Sequence, residues 1–217
     1  MKCSGLGKRS RGLTLVEVFA IITIIACGVL LLLPALRKSK SGRPHINCAS
    51  NLKQLGLAFR SWGDDNGDAH PMQALTNHTG GFLYADAING YRYFQVMSNE
   101  INNPKVLTCP DDKTRTHATN FTSDFSGSHL SYFIGLDAVE TMPQAFLTGD
   151  RNIAIAGNPG RGLMAIGTNQ FVEWTKDLHN LAGNVGLGDG SVQEFSSSAL
   201  RTAMQHTGYV TNRLLFP

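Results

Sequence analysis

The sequence predicts an α+β chain: a long N-terminal hydrophobic helix, kinked or broken near Gly42 and Pro44, packed on a small antiparallel-sheet head. Three observations predict it. Residues Leu13 to Leu36 form an apolar run holding a single charge, Glu17. Residues Cys48, Leu52, Leu55, Phe59 and Trp62 recur at alternating spacings of four and three, which lines them along one helical face. Beyond them, short β-like runs alternate with Gly- and Asn-rich turns. A chain of 217 residues without low-complexity segments or internal repeats fits one membrane element and one modest globular domain.

At about 1.5 Å per helical residue, the run from Leu13 to Leu36 reaches on the order of 36 Å, more than the ~30 Å hydrocarbon core of a bilayer. A removable signal peptide would carry a shorter apolar core followed by a small-residue cleavage site, whereas here the run continues through "GVLLLLPAL". A charge within such a span costs roughly 2.5 to 3.5 kcal/mol at the helix centre and less near an end, and it tends to mark a partner or a function. Glu17 lies one turn inside the start, where the bland alternative is that it snorkels to the headgroups. "IIAC" at Ile24 to Cys27 has the look of a lipoprotein processing box. The apolar residues past Cys27 and the carboxylate before it speak against that reading, which leaves Cys27 as a small apolar residue of a helix.

Net charge is +3, but Lys2, Lys8, Arg9 and Arg11 fall in the first 12 residues with no acid among them, so the remainder carries about −1. The basic character belongs to the leader, and no nucleic-acid partner is expected. Arg37, Lys38, Lys40 and Arg43 follow the apolar run as closely as the first four precede it, so charge bias does not orient the chain.

"RG" followed by "LTLVEVF" resembles the prepilin signal of type IV pilins and type II secretion pseudopilins, in which a basic leader ends in Gly and a Glu stands at the fifth mature position. The resemblance implies cleavage between Gly12 and Leu13 by a prepilin peptidase and N-methylation of Leu13. It implies a leader on the cytoplasmic side of a bacterial inner membrane, a periplasmic head, and a helix-kinking proline at Pro34. The family usually has Phe where this chain has Leu13. On this reading Glu17 is the assembly residue: in low dielectric it seeks a cation, and cleavage creates one at Leu13 of a neighbouring subunit. The expected organisation is a leader over 1–12, a transmembrane and assembly helix over 13–36, its periplasmic continuation over 37–65, and a globular α+β head over 66–217.

Gly42 and Pro44 in "RKSKSGRPHI" interrupt the helix before "CASNLKQLGLAFRSW" resumes it. "GDDNGDAHP" ends it. "LSYFIGL", "AFLTGD", "NIAIAG", "GLMAIG", "NVGLGDG" and "SVQEF" read as strands, the last two joined by a turn at Asp189 and Gly190. "SSALRTAMQHTG" reads as a short helix capped by serine. An antiparallel sheet packed on the Cys48 to Trp62 stripe is the natural arrangement for elements of this size, and pilin heads resemble it.

His179, nine intervening residues, then Asp189 and Gly190 form an H-x9-DG motif. With "CASNLKQLGLAFRSW", "NPKVLTCPDD" and "LSYFIGLDAVET", it resembles prepilin-like proteins of Planctomycetes and Verrucomicrobia. For His179 and Asp189 a metal or ligand site competes with a simpler account, a hairpin whose Asp tolerates positive φ beside a hydrogen-bonded His. Among the cysteines no CxxC or other metal spacing occurs, and Cys48 and Cys109 are the candidate disulfide pair in an oxidising compartment. "DDNGD" places Asp64, Asn66 and Asp68 as an EF-hand begins, but Ala69 and Leu75 stand where its glycine and terminal glutamate belong. A looser calcium site from these oxygens stays open. No metal and no cofactor is otherwise expected. The seven histidines include no HExxH, and no GxSxG elbow, Walker loop or dinucleotide fingerprint occurs, so no catalytic residue is assigned.

These readings converge on a non-enzymatic subunit of a type II secretion pseudopilus, or of a related type IV pilus. Its partners would be other pseudopilin subunits, the prepilin peptidase and an inner-membrane assembly platform. The competing class is a membrane-tethered head that binds or cleaves a glycan without polymerising.

Overall fold

The computed structural model describes residues 15–38, 43–76 and 81–217, with side chains of the first helix described through Val29. The chain divides into two units, Met1–Arg43 and Pro44–Pro217. In the first unit, helix α1 spans Leu15–Lys38 and continues through Pro34, with Glu17 in its first turn. Every described side chain from Leu15 to Val29 is exposed. The Thr23 hydroxyl is satisfied inside the helix by the carbonyls of Phe19 and Ala20, at 2.8 and 2.9 Å. Among the described residues no helix is long and apolar enough to cross a membrane. The fifteen residues of α1 with described side chains reach only about 22 Å at ~1.5 Å per residue. Gly12, Leu13 and Gly42 lie outside the described residues.

The second unit opens within α2, Arg43–Asp65. Good helix formers such as Leu, Lys, Gln, Ala and Arg fill its length, and the predicted stripe is its buried face: Cys48, Leu52, Leu55 and Phe59 are fully buried and Trp62 is 8% exposed. Left-handed backbone at Gly67 and Asp68 stops it, the amides of Asn66 and Asp68 both donating to the Gly63 carbonyl at 2.9 Å. The connection to the first strand carries α3 (Pro71–Ala74), α4 (Arg92–Val96), α5 (Ser98–Ile101) and 3-10 turns at Pro104–Leu107 and Gly127–His129.

Nine strands follow: β1 (Tyr132–Gly135), β2 (Phe146–Asp150), β3 (Ile153–Ile155), β4 (Asn158–Pro159), β5 (Gly162–Gly167), β6 (Val172–Trp174), β7 (Ala182–Leu187), β8 (Val192–Ser196) and, after α6 (Ser197–Gln205), β9 (Thr211–Phe216). Six form a wholly antiparallel sheet in the order β5-β9-β1-β2-β7-β8, and three form a second one in the order β4-β3-β6. The mixed α+β class with an antiparallel sheet is thus present, and the six predicted strands and the tail helix all form. Ser196 caps α6 through the Ala199 amide, as the serine-rich start of the tail suggests.

Covered on both faces, β1 and β2 of the large sheet are buried at every position instead of alternating. In β1, Tyr132 and Ile134 join α2, Tyr93, Phe94 and Leu107 in one core, while Phe133 points into a second core with Trp174, Leu200, Met204 and Phe216. The same switch recurs in β9, where Leu215 belongs to the first core and its neighbours Leu214 and Phe216 to the second. β9 sits between β5 and β1, a central strand that the polar start "TN" and terminal Pro217 hid in the sequence.

Candidate functional site

The functional side chains gather where three segments meet under α2: the loop after the Pro104–Leu107 turn, the end of β2, and the loop entering β7. Cys48, in the early part of α2, is bonded to Cys109, with Cα atoms 5.4 Å apart, a separation ordinary for disulfides. Asn51, one turn on, ties the same helix to the same loop, its side-chain amide donating to the Tyr132 hydroxyl at 3.3 Å and the Thr108 carbonyl at 3.4 Å.

His179 points at this bond. Its Nε2 lies 3.4 Å from Cys109 Sγ and 3.3 Å from Asp150 Oδ2, while Nδ1 is 3.0 Å from Asp111 Oδ2. Its side chain and that of Asp150 are fully buried. Burial pulls the imidazole pKa down most strongly, but the hydrogen bond and charge of Asp150, with Asp111 behind them, together hold it above the ordinary value. An imidazolium flanked by two carboxylates, each accepting from one ring nitrogen, satisfies both donors. Asp150 Oδ2 also accepts from the backbone and side-chain amides of Asn184, at 2.6 and 3.0 Å. Asp150 Oδ1 is buried without a hydrogen bond. The phenol of Tyr132, cross-strand neighbour of Asp150, is pushed well above its ordinary pKa range by burial first and then by the Asp150 charge.

The loop that delivers His179 is strained. His179, Asn180 and Leu181 have φ of 51°, 50° and 70°. Such a conformation costs on the order of 1 kcal/mol or more for each residue with a Cβ, and a run of three is unusual. Asn152 over-determines it: its buried side-chain amide donates toward the carbonyls of Leu178, Thr175 and Ala182 at 2.9, 3.1 and 3.3 Å, while its backbone carbonyl accepts from the Thr175 amide at 2.7 Å.

Asp112, beside Asp111, binds Arg151, beside Asp150. The Arg151 guanidinium reaches both Asp112 oxygens, at 2.7 and 2.9 Å, and Ser131 donates to Asp112 at 2.9 Å. Burial alone would raise the Asp112 pKa, but the hydrogen bonds from Arg151, Thr114 and Ser131 with the Arg151 charge bring it down to about 2. Two adjacent acids therefore hold two cations, one on His179 and one on Arg151.

The H-x9-DG motif spans strand β7. β7 separates its ends: His179 enters the cysteine cluster, whereas Asp189 and Gly190 form the β7–β8 turn. Gly190 takes the left-handed backbone at φ 81°, and Asp189 Oδ1 instead accepts from the Ser191 amide at 2.8 Å. That turn meets α2, since a Cβ added at Gly56 would stand 3.4 Å from the Gly190 carbonyl oxygen, and Arg60 donates to the Asp189 carbonyl at 3.2 Å. Cys27 is a free, exposed thiol of α1.

The fold brings together residues that no cysteine spacing in the sequence joins. Cys48, Cys109, Asp150 and His179 offer four ligand atoms within 4.8 Å of one another, the only such group of His, Cys, Asp and Glu among the described residues. Asp64 and Asp68 do not join in such a group among the described residues. Sequence reasoning missed Asp111, Asp150, Asn152 and Tyr132. The signals available were the paired acids directly after Cys109 in "CPDD" and the charged end of an apolar strand in "FLTGDRN". Comparison with protein-family models, curated proteins and solved structures gives no match.

Proposed function

We propose that the chain is a pilin-like assembly subunit, a type II secretion pseudopilin or a close functional relative. It would be anchored in the bacterial inner membrane by the run from Leu13 to Leu36, with its head in the periplasm. One observation carries the reading: α1 has an acid in its first turn and exposes large apolar side chains on all sides, Leu15, Val16, Phe19 and Ile24 among them at 63% exposure or more. A helix apolar all round needs a lipid or protein environment. Glu17 within it suits pairing with the amine created at Leu13 of an adjoining subunit once residues 1–12 are removed. The Cys48–Cys109 disulfide supports an oxidising location for the head. Prepilin peptidase, sister subunits and an assembly platform are the partners this function requires.

Intact mass of the mature protein from its native cell tests the reading. Loss of residues 1–12 with one added methyl supports it. An untrimmed N-terminus refutes it, as does a diacylglycerol on Cys27. Glu17→Ala should insert normally yet fail to enter fibres. Unimpaired assembly of that variant, or no assembly of the parent protein, would favour the membrane-tethered head.

A further inference from the structure

A disulfide needs suitable geometry and little else from its surroundings, yet this one is walled by an imidazole and a carboxylate that are expensive to bury. Removing a carboxylate from water costs several kcal/mol unless compensated, and the ion-pair partner of Asp150 among the described residues is His179 itself. His179 in turn is delivered by three successive left-handed residues. Neither expense serves the sulfur–sulfur bond. Both make sense if the four groups share a second task.

We infer that Cys48, Cys109, Asp150 and His179 form a tetrahedral site for a divalent metal of the zinc class when the two sulfurs are reduced, so that the disulfide and the metal are alternative staples at one place. The donor set suits the ion. Two thiolates, one imidazole nitrogen and one carboxylate oxygen are zinc ligands, and four protein ligands leave no open position, as in structural sites. Bonds of about 2.3 Å to sulfur place two thiolates about 3.8 Å apart on a tetrahedron, a distance the sulfurs reach by side-chain rotation once their bond is broken. His179 is oriented for the role: Nε2 faces Cys109 and Asp150, and Nδ1 is held by Asp111 at 3.0 Å. A carboxylate behind the non-ligating nitrogen is the outer partner that fixes the tautomer of metal-bound histidine.

The chemistry balances with a dithiol reductant as co-reactant. The dithiol gives two electrons and two protons to the Cys48–Cys109 bond, which breaks to two thiols while the reductant closes to its own disulfide. Metal binding then releases both thiol protons and the Nε2 proton of the His179 imidazolium to solvent, leaving the neutral imidazole as the ligand. Cys48 and Cys109 are 0% and 1% exposed, so the choice between staples is made as the chain folds. A reducing compartment selects the metal and an oxidising one the disulfide.

The test uses the full chain in detergent, refolded from denaturant with a phosphine reductant, with Co2+ as the spectroscopic probe and Zn2+ as competitor. One equivalent of Co2+ should bind with a thiolate-to-metal charge-transfer band that Zn2+ abolishes. The oxidised chain and the Cys48→Ser/Cys109→Ser double variant should show no band. Asp111→Asn should keep the stoichiometry and lose roughly tenfold to a hundredfold in affinity. Should the reduced chain refold only with metal, recovery of its near-ultraviolet circular dichroism on adding Zn2+ reads the same claim. Absence of both the band and that recovery overturns the proposal, as does a band unchanged by His179→Ala and Asp150→Asn. Its outcome is independent of whether the protein assembles into fibres.

Discussion

α1 and α2 are almost equal in length, 24 and 23 residues, and they treat apolar surface in opposite ways. α2 concentrates it in one stripe, and the head covers that stripe so completely that Cys48, Leu52, Leu55 and Phe59 see no solvent. α1 spreads it around the whole circumference, and Leu15 and Val16 are still about three-quarters exposed. A stripe states where its partner lies, on one side and within reach of the same chain. An all-round apolar surface states only that the partner is not water. In the proposed function that partner is lipid before assembly and neighbouring α1 helices afterwards.

The sharpest way to break the contrast is truncation within the stripe. Phe59→Ala removes a fully buried ring that contacts Phe94 and His70, and it should cost about 3 to 5 kcal/mol, read as a lower urea midpoint for the head. Next in size is the cross-link. Cys48 and Cys109 are 61 residues apart, and the chain-entropy account of closing such a loop gives about 4 kcal/mol, with typical measured values of 2 to 4. Cys48→Ser/Cys109→Ser should therefore lower the midpoint under oxidising conditions. No change would mean that Asn51 and the core around it already hold α2 against the Cys109 loop.

The same contrast explains what was legible in the sequence. Helical spacing reveals a stripe, so α2 and its buried residues could be named from Cys48, Leu52, Leu55, Phe59 and Trp62 alone. The Asp-Gly turn and the apolar runs revealed β7, β8 and the heart of the large sheet. The site was only half visible. Cys48, Cys109 and His179 could be singled out as residues, but what joins them is the register that brings the end of β2 beside the loop entering β7, and no local pattern encodes that. Asp150 and Asp111 read as ordinary strand-end and loop acids. Strain at His179 to Leu181 was equally hidden, since neither His nor Leu announces a positive φ. β9 and β6 were missed because each mixes polar residues into a short strand whose burial is settled by neighbours far along the chain.

Two smaller effects separate the acids of the site by pH. The Asp112 carboxyl is held at about 2, against about 3.8 when unfolded. Its contribution, on the order of 2 kcal/mol, is present above the unfolded value and lost as pH falls through the folded one. Asp112→Asn should flatten the decline in stability between about pH 4 and pH 2. His179 has the opposite sign. Its folded pKa is raised, so its contribution is complete below the unfolded value of about 6.5 and disappears as pH rises through the higher folded value. Chemical denaturation of the oxidised protein should show a modest loss of stability on passing upward through neutrality, absent in His179→Gln. A loss confined to acidic pH would mean that the imidazole is neutral between its two carboxylates.

The smallest expected effect is also the most discriminating for the two helices. Ile22 sits on α1 at 57% exposure, whereas Leu52 sits on α2 at 0%. Truncating each to Ala removes similar apolar bulk. Leu52→Ala should cost the head about 2 to 5 kcal/mol, and Ile22→Ala should leave its denaturation midpoint within about 0.5 kcal/mol of the parent. In the proposed fibre the order should reverse, because α1 is the surface that such an assembly would bury. Equal losses of head stability from the two substitutions would show that α1 is covered by its own chain. The exposed ring around Glu17 would then cease to argue for any neighbour.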